Sequence, residues 1–99
     1  MNLKFEWNTR KASNNLKKHS VSFEEAQTVF EDKSALIFPD EAHSTDENRE
    51  IMIGYSSRNR LLLVCFVKRV LNVIRIFSAR RATKNEQNDY EENADYKNG

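Results

Sequence analysis

The stretch "VLNVIRIFSARRATKNE", Val70 to Glu86, carries a strand pattern that runs into two adjacent arginines and then reaches an acidic residue. As a strand it points Val73, Arg75 and Phe77 to one face, and Asn72, Ile74, Ile76 and Ser78 to the other. Arg75 therefore shares a face with core-type residues, and Arg80 and Arg81 stand at the strand's end. Thr83 can accept from the free amides of a first helical turn, with Glu86 inside that turn. The order read here is a strand, a cationic strand end and a C-terminal helix that carries Tyr90, with a polar tail over residues 91–99 expected to fray.

Upstream, "RLLLVCFV" from Arg60 reads as a fully buried central strand and "EIMIGYSS" from Glu50 as its neighbour. The connections around Ser57 to Asn59 and Lys68 to Leu71 are too short for a crossover, which favours antiparallel pairing. "ALIF" at Ala35 to Phe38, stopped by Pro39, reads as an edge strand. "SFEE" at Ser22 to Glu25 has capping-box spacing, with the Glu25 carboxylate reaching back to the Ser22 amide, and opens a helix with Phe23, Ala26 and Phe30 on its buried stripe. An earlier helix from about Thr9 to Lys18 is capped by Asn8 or Thr9. Its thin apolar stripe is Ala12, Leu16 and His19, while Lys11, Asn15 and Lys18 share a polar face. "FEW" at Phe5 to Trp7 is either a short strand or a hydrophobic staple. The expected fold is one α+β domain over residues 1–99: two N-terminal helices, an antiparallel four-stranded sheet and a C-terminal helix.

The 99 residues suffice for one core and not for two. No run approaches the ~20 apolar residues that cross a membrane, and Met1 to Trp7 lacks a signal-peptide pattern, so a cytoplasmic location is expected. Cys65 lies inside an apolar run and reads as a buried small hydrophobe. The net charge of +1 conceals a segregation: Ile51 to Asn85 holds eight basic residues and no acidic one. A cationic region in a nearly neutral protein points to an anionic partner, with phosphate the first candidate. His43 among Asp40, Glu41, Asp46 and Glu47 lacks a closed ligand pattern and reads as a solvated acidic loop, so no metal and no cofactor are expected.

"NLKKH" followed by "VSFEEA", and later "IRIFSARRAT", occur in an order that resembles the BrnT family of bacterial type II toxins, and the resemblance extends to about Tyr90. It implies a RelE-like fold and a metal-independent ribonuclease activity that arrests translation. It further implies neutralisation by a ribbon-helix-helix antitoxin (BrnA-like), with operator DNA met only through the toxin–antitoxin complex. Two departures stand out. Ser20 occupies a place where the family commonly has glycine, and "KRVLN" replaces a glycine-bearing hairpin turn.

Metal-free RNA cleavage needs the 2′-hydroxyl deprotonated, the phosphorane's added charge neutralised and the leaving 5′-oxygen protonated. Preorganised cations contribute most to such a step, and arginine's planar fork suits phosphate. Arg80 and Arg81 are the first candidates to hold the scissile phosphate; the alternative is a surface network with Glu86. His19 is the natural proton shuttle, though a packed helix terminator is the competing reading. Lys18 can contact RNA from the polar face. Arg69, Arg75 and Lys68 are candidate RNA contacts, and Tyr90 a proton donor or stacking surface. Competing functions are a non-catalytic toxin on the same fold and a nucleic-acid-binding regulator, both of which need the cationic surface but no acid or base.

Overall fold

The computed structural model of the chain describes residues 2–43 and 48–98. Its elements are β1 (Lys4–Glu6), α1 (Thr9–His19), α2 (Phe23–Thr28), β2 (Leu36–Pro39), β3 (Arg49–Tyr55), β4 (Leu61–Lys68), β5 (Val73–Arg81) and α3 (Lys84–Asn98). Short 3-10 turns occupy Val29–Glu31, Glu41–His43 and Val70–Asn72. The α+β class stands, and β2 to β5 form the expected antiparallel meander.

The four-stranded, RelE-like sheet is corrected by a fifth strand. The order is β1-β5-β4-β3-β2, and β1 joins β5 in parallel, Lys4 opposite Val73 and Glu6 opposite Arg75. The physical reason lies in β5, which ends the meander with a row of unpaired backbone groups that the "KFE" segment satisfies. Of the two readings of Phe5 to Trp7, the short strand is the one that forms, over Lys4–Glu6, and the four-strand count omitted it.

Beyond β1 the same edge is closed by a side chain. Asn15 Nδ2 donates to the Ala79 carbonyl at 2.8 Å and to the Val21 carbonyl at 2.9 Å, while the Ala79 amide donates to Asn15 Oδ1 at 3.1 Å. A carboxamide carries both donors and an acceptor, so it mimics a neighbouring strand's peptide group. Asn15 is thus buried rather than on the polar face, and Leu16, expected in the apolar stripe, is 51% exposed.

The helices α1 and α2 cover one face of the sheet, where Val21, Phe23, Ala26 and Val29 meet Leu62, Val64, Phe66, Ile74 and Ile76. Ala79 joins this core in place of Ser78 because the β4–β5 register shifts between Cys65 and Phe66, so that Cys65 pairs with Ser78 and Phe66 with Ile76. Phe77 is the extra residue of a β-bulge. Strict alternation would have sent Arg80 to the helix-covered face with Ile74 and Ile76; the bulge sends it to the other.

On that other face Tyr90 of α3 packs with Ile53 and Leu63, and its ring meets Tyr55 edge-on at 5.3 Å. Its hydroxyl donates to Asp32 Oδ2 at 2.8 Å, and Asp32 also accepts from the Tyr55 and Ser34 amides. Gly54 is required where Asp32 and its neighbours approach β3, since an added Cβ would lie 2.9 Å from Val29 Cγ1.

Ser22 caps α2, accepting from the Glu25 amide at 3.0 Å. The reciprocal half of the capping box is absent. The Glu25 carboxylate turns instead to the β3–β4 connection, accepting from Ser56 Oγ at 2.7 Å, from Arg60 Nε at 2.9 Å and from Arg60 Nη2. Arg60 Nη2 also reaches the Ser20 carbonyl at 3.0 Å.

Ser20 and the "KRVLN" turn, the two departures noted in the sequence, both keep a left-handed backbone. Ser20, the C-cap of α1, has φ 58°, and Leu71 and Asn72 in the β4–β5 turn have φ 60° and 64°. Asparagine tolerates this region; for leucine it costs roughly 1–2 kcal/mol. Ser20→Gly should therefore raise stability by about 1 kcal/mol in urea unfolding, the gain of a residue with no Cβ at a helix C-cap.

Candidate active site

Because the Asn15 amide ties α1 alongside β5 at Ala79, the last turn of α1 lies at the sheet end where β5 finishes. That turn carries Lys17, Lys18 and His19. Lys18 is exposed and His19 half-buried. Arg81 closes β5 as an exposed side chain with no hydrogen bond or ion pair among the described residues. Three sequence-selected residues, Lys18, His19 and Arg81, thus share one end of the sheet.

Arg80, its neighbour on the opposite face, is engaged. Its guanidinium makes a two-pronged pair with Glu86, at 2.8 Å and 2.9 Å. Glu86 also closes a capping box at the start of α3: its carboxylate accepts from the Thr83 amide at 2.8 Å, and its own amide donates to Thr83 Oγ1 at 3.2 Å. The Arg80 hydrogen bond is the main reason that the Glu86 carboxyl is held below its ordinary range, against the opposing effect of burial. The surface-network alternative therefore describes the position of Arg80, and Arg81 is the candidate whose side chain has no partner among the described residues.

The remaining candidates stand apart. Arg69 and Arg75 both pair with Glu6, at 3.4 Å and 2.9 Å, and Lys68 with Glu50 at 3.7 Å. Arg75 and Arg81 are six residues apart in β5, which at ~3.3 Å per residue separates them by roughly 20 Å. Tyr90 is buried, its hydroxyl pushed up to about 12 by burial and by the Asp32 hydrogen bond. It anchors α3 to the sheet; neither its ring nor its hydroxyl faces the strand end.

Next to Arg80 the uncovered part of the sheet forms a groove of about 440 Å³ with Phe77, Ser78, Cys65 and Leu63 in its lining. Arg49 lies over the Phe77 ring at 3.9 Å and Lys11 at 5.5 Å, both within cation–π range. Sequence reasoning missed Arg49 and Lys11 because they come from β3 and α1, far from Phe77 in the chain, and meet its ring only in the folded protein. Cys65 is buried, 3.4 Å from Asp40, and burial first and Asp40 second push its thiol up to about 11. Among the described residues no group of three or more His, Cys, Asp or Glu side chains could hold a metal ion. The acidic loop positions Asp46 and Glu47, and with them much of the surroundings proposed for His43, lie outside the described residues.

A family model for the BrnT ribonuclease toxins of type II toxin–antitoxin systems matches residues 7–86, a span that includes both α1 and the arginine-bearing end of β5. The chain belongs to the BrnT family. Among solved structures it resembles the 1.1 Å crystal structure of the Brucella abortus ribonuclease toxin BrnT, with a TM-score of 0.64 and 24% identity, over 84% of this chain and 100% of that one. At that identity the likeness speaks for the fold. No curated protein matches. Among the described residues of this BrnT-family chain no helix is long and apolar enough to cross a membrane.

Proposed function

We propose that the chain is a metal-independent endoribonuclease that acts in the cytoplasm and arrests translation, with the scissile phosphate held at the end of β5. The observation that carries this reading is the Asn15 clamp, which sets the basic last turn of α1 beside Arg81. In this reading His19 removes the 2′-hydroxyl proton, and the 2′-oxygen attacks the adjacent phosphorus. The fork of Arg81 and the ammonium of Lys18 neutralise the charge that develops on the phosphorane oxygens. The 5′-oxygen leaves with the proton that the His19 imidazolium returns, giving a 2′,3′-cyclic phosphate and a 5′-hydroxyl end and restoring the neutral imidazole. Arg80 joins the site by exchanging one oxyanion, the Glu86 carboxylate, for another.

Membership of a type II family supports a protein antitoxin as partner. In this proposal it is a BrnA-like ribbon-helix-helix protein, and the complex is what meets operator DNA.

The test incubates the purified, antitoxin-free chain with RNA in EDTA, with and without translating ribosomes. Cleavage with cyclic phosphate ends is expected. RNA that stays intact in both mixtures would overturn the proposal in favour of a non-catalytic toxin.

A further inference from the structure

The end of the sheet far from Arg81 breaks two rules that the rest of the molecule keeps. Val70 and Leu71, at the tip of the β4–β5 turn, are 80% and 86% exposed. Leu71 also has a left-handed backbone that glycine or asparagine would adopt at lower cost. Among the described residues nothing compensates for either choice, since both side chains are exposed.

Beside this tip, on the helix-covered face, lies an apolar trough of about 420 Å³. Met52, Phe66 and Ile74 form its floor, and Leu3, Phe30 and Ile37 its walls. Leu3 and Ile37 are themselves 40% and 48% exposed. The charged residues that line it, Lys68 and Arg69, are both cations, paired at its rim with Glu50 and Glu6, so that a partner's carboxylates would share or replace those pairs. Clustered exposed aliphatics around an open apolar trough mark an interaction surface.

We propose that the Val70–Leu71 tip and this trough dock an amphipathic segment of the antitoxin, with an apolar stripe in the trough and acidic side chains toward Lys68 and Arg69. This rests on the reading of the chain as the toxin of a type II pair. An apolar stripe flanked by carboxylates is the chemistry that matches such a trough and rim. The surface lies at the opposite end of β5 from Arg81, so a partner seated here holds the toxin by a contact separate from the phosphate site.

The experiment uses the protein encoded beside this chain as the probe and measures its affinity by titration calorimetry for the wild type and for a Val70→Asn, Leu71→Gly variant. Affinity should fall tenfold or more. The thermal midpoint of the free variant should be unchanged or higher, because glycine relieves the left-handed turn, and its RNA cleavage in EDTA should match the wild type. Equal affinity within twofold would overturn the proposed surface while leaving the partner in place. So would a loss of affinity accompanied by a lower thermal midpoint. Absence of binding by the wild type would overturn the antitoxin reading together with the surface. A concentration-dependent dimer of the free chain that the variant abolishes would assign the surface to a second copy instead.

Discussion

Glu25→Ala should cost about 3–5 kcal/mol in urea unfolding, the range for removing one partner from a buried ion pair. The Glu25 side chain is 3% exposed and that of Arg60 22%, so the guanidinium left behind remains mostly shielded from water. The same carboxylate accepts from Ser56 Oγ, and through Arg60 the network reaches the Ser20 carbonyl at the end of α1. One side chain therefore joins α1, α2 and the β3–β4 connection. Against a typical stability of ~5–15 kcal/mol the loss is a large share. Glu25→Gln should lose less, because the carboxamide retains an acceptor for Ser56.

The same pair sets an acid limit. Arg60 hydrogen bonding, working against burial, lowers the Glu25 carboxyl from its ordinary value of 4.5. A carboxyl whose folded value is depressed contributes its full stabilisation above the unfolded value and loses it as pH falls through the folded one. Glu86, lowered chiefly by Arg80, acts in the same direction. Stability should hold above about pH 5 and decline below pH 4.5, and the decline should be shallower in Glu25→Gln.

Arg81→Ala is expected to lower the rate of RNA cleavage by about 10²–10³-fold, the cost of removing one preorganised donor from a developing oxyanion. Because Arg81 is exposed and unpaired among the described residues, its thermal midpoint should not move. Arg81→Lys keeps the charge and loses the fork, so partial recovery is expected. A variant that cleaves at the wild-type rate would remove Arg81 from the site. Arg80→Ala is a less clean probe, since it also frees Glu86 and disturbs the first turn of α3.

Much of the fold was legible because its signals are periodic. The runs of β3, β4 and β5, the Pro39 stop of β2, the Ser22 and Thr83 caps and the buried Phe23 and Ala26 all follow from spacing and side-chain chemistry. What escaped depends on partners distant in sequence. Glu25 has capping-box spacing, and only the folded chain shows that Arg60, 35 positions away, takes its carboxylate instead. Asn15 lies on an apparently polar helix face, yet it meets Ala79, 64 positions away. The three-residue β1 needs the free edge of β5 to become a strand. Of the candidate site, the segregated charge was visible, but its division into a paired Arg80, an available Arg81 and a distant Arg69–Arg75 group was not. That division depends on strand direction and on the bulge, and neither leaves a local mark in the sequence.

The bulge at Phe77 also makes this strand a parity device. Deleting Phe77 would remove the extra residue and leave Ala79 inward and Arg80 toward the groove, whereas one residue inserted after Ser78 would turn Arg80 toward the apolar interior and Ala79 toward the groove while altering neither residue. Single insertions beyond the bulge should therefore be far less tolerated than loss or replacement of Phe77. An insertion scan there would read out function as odd or even.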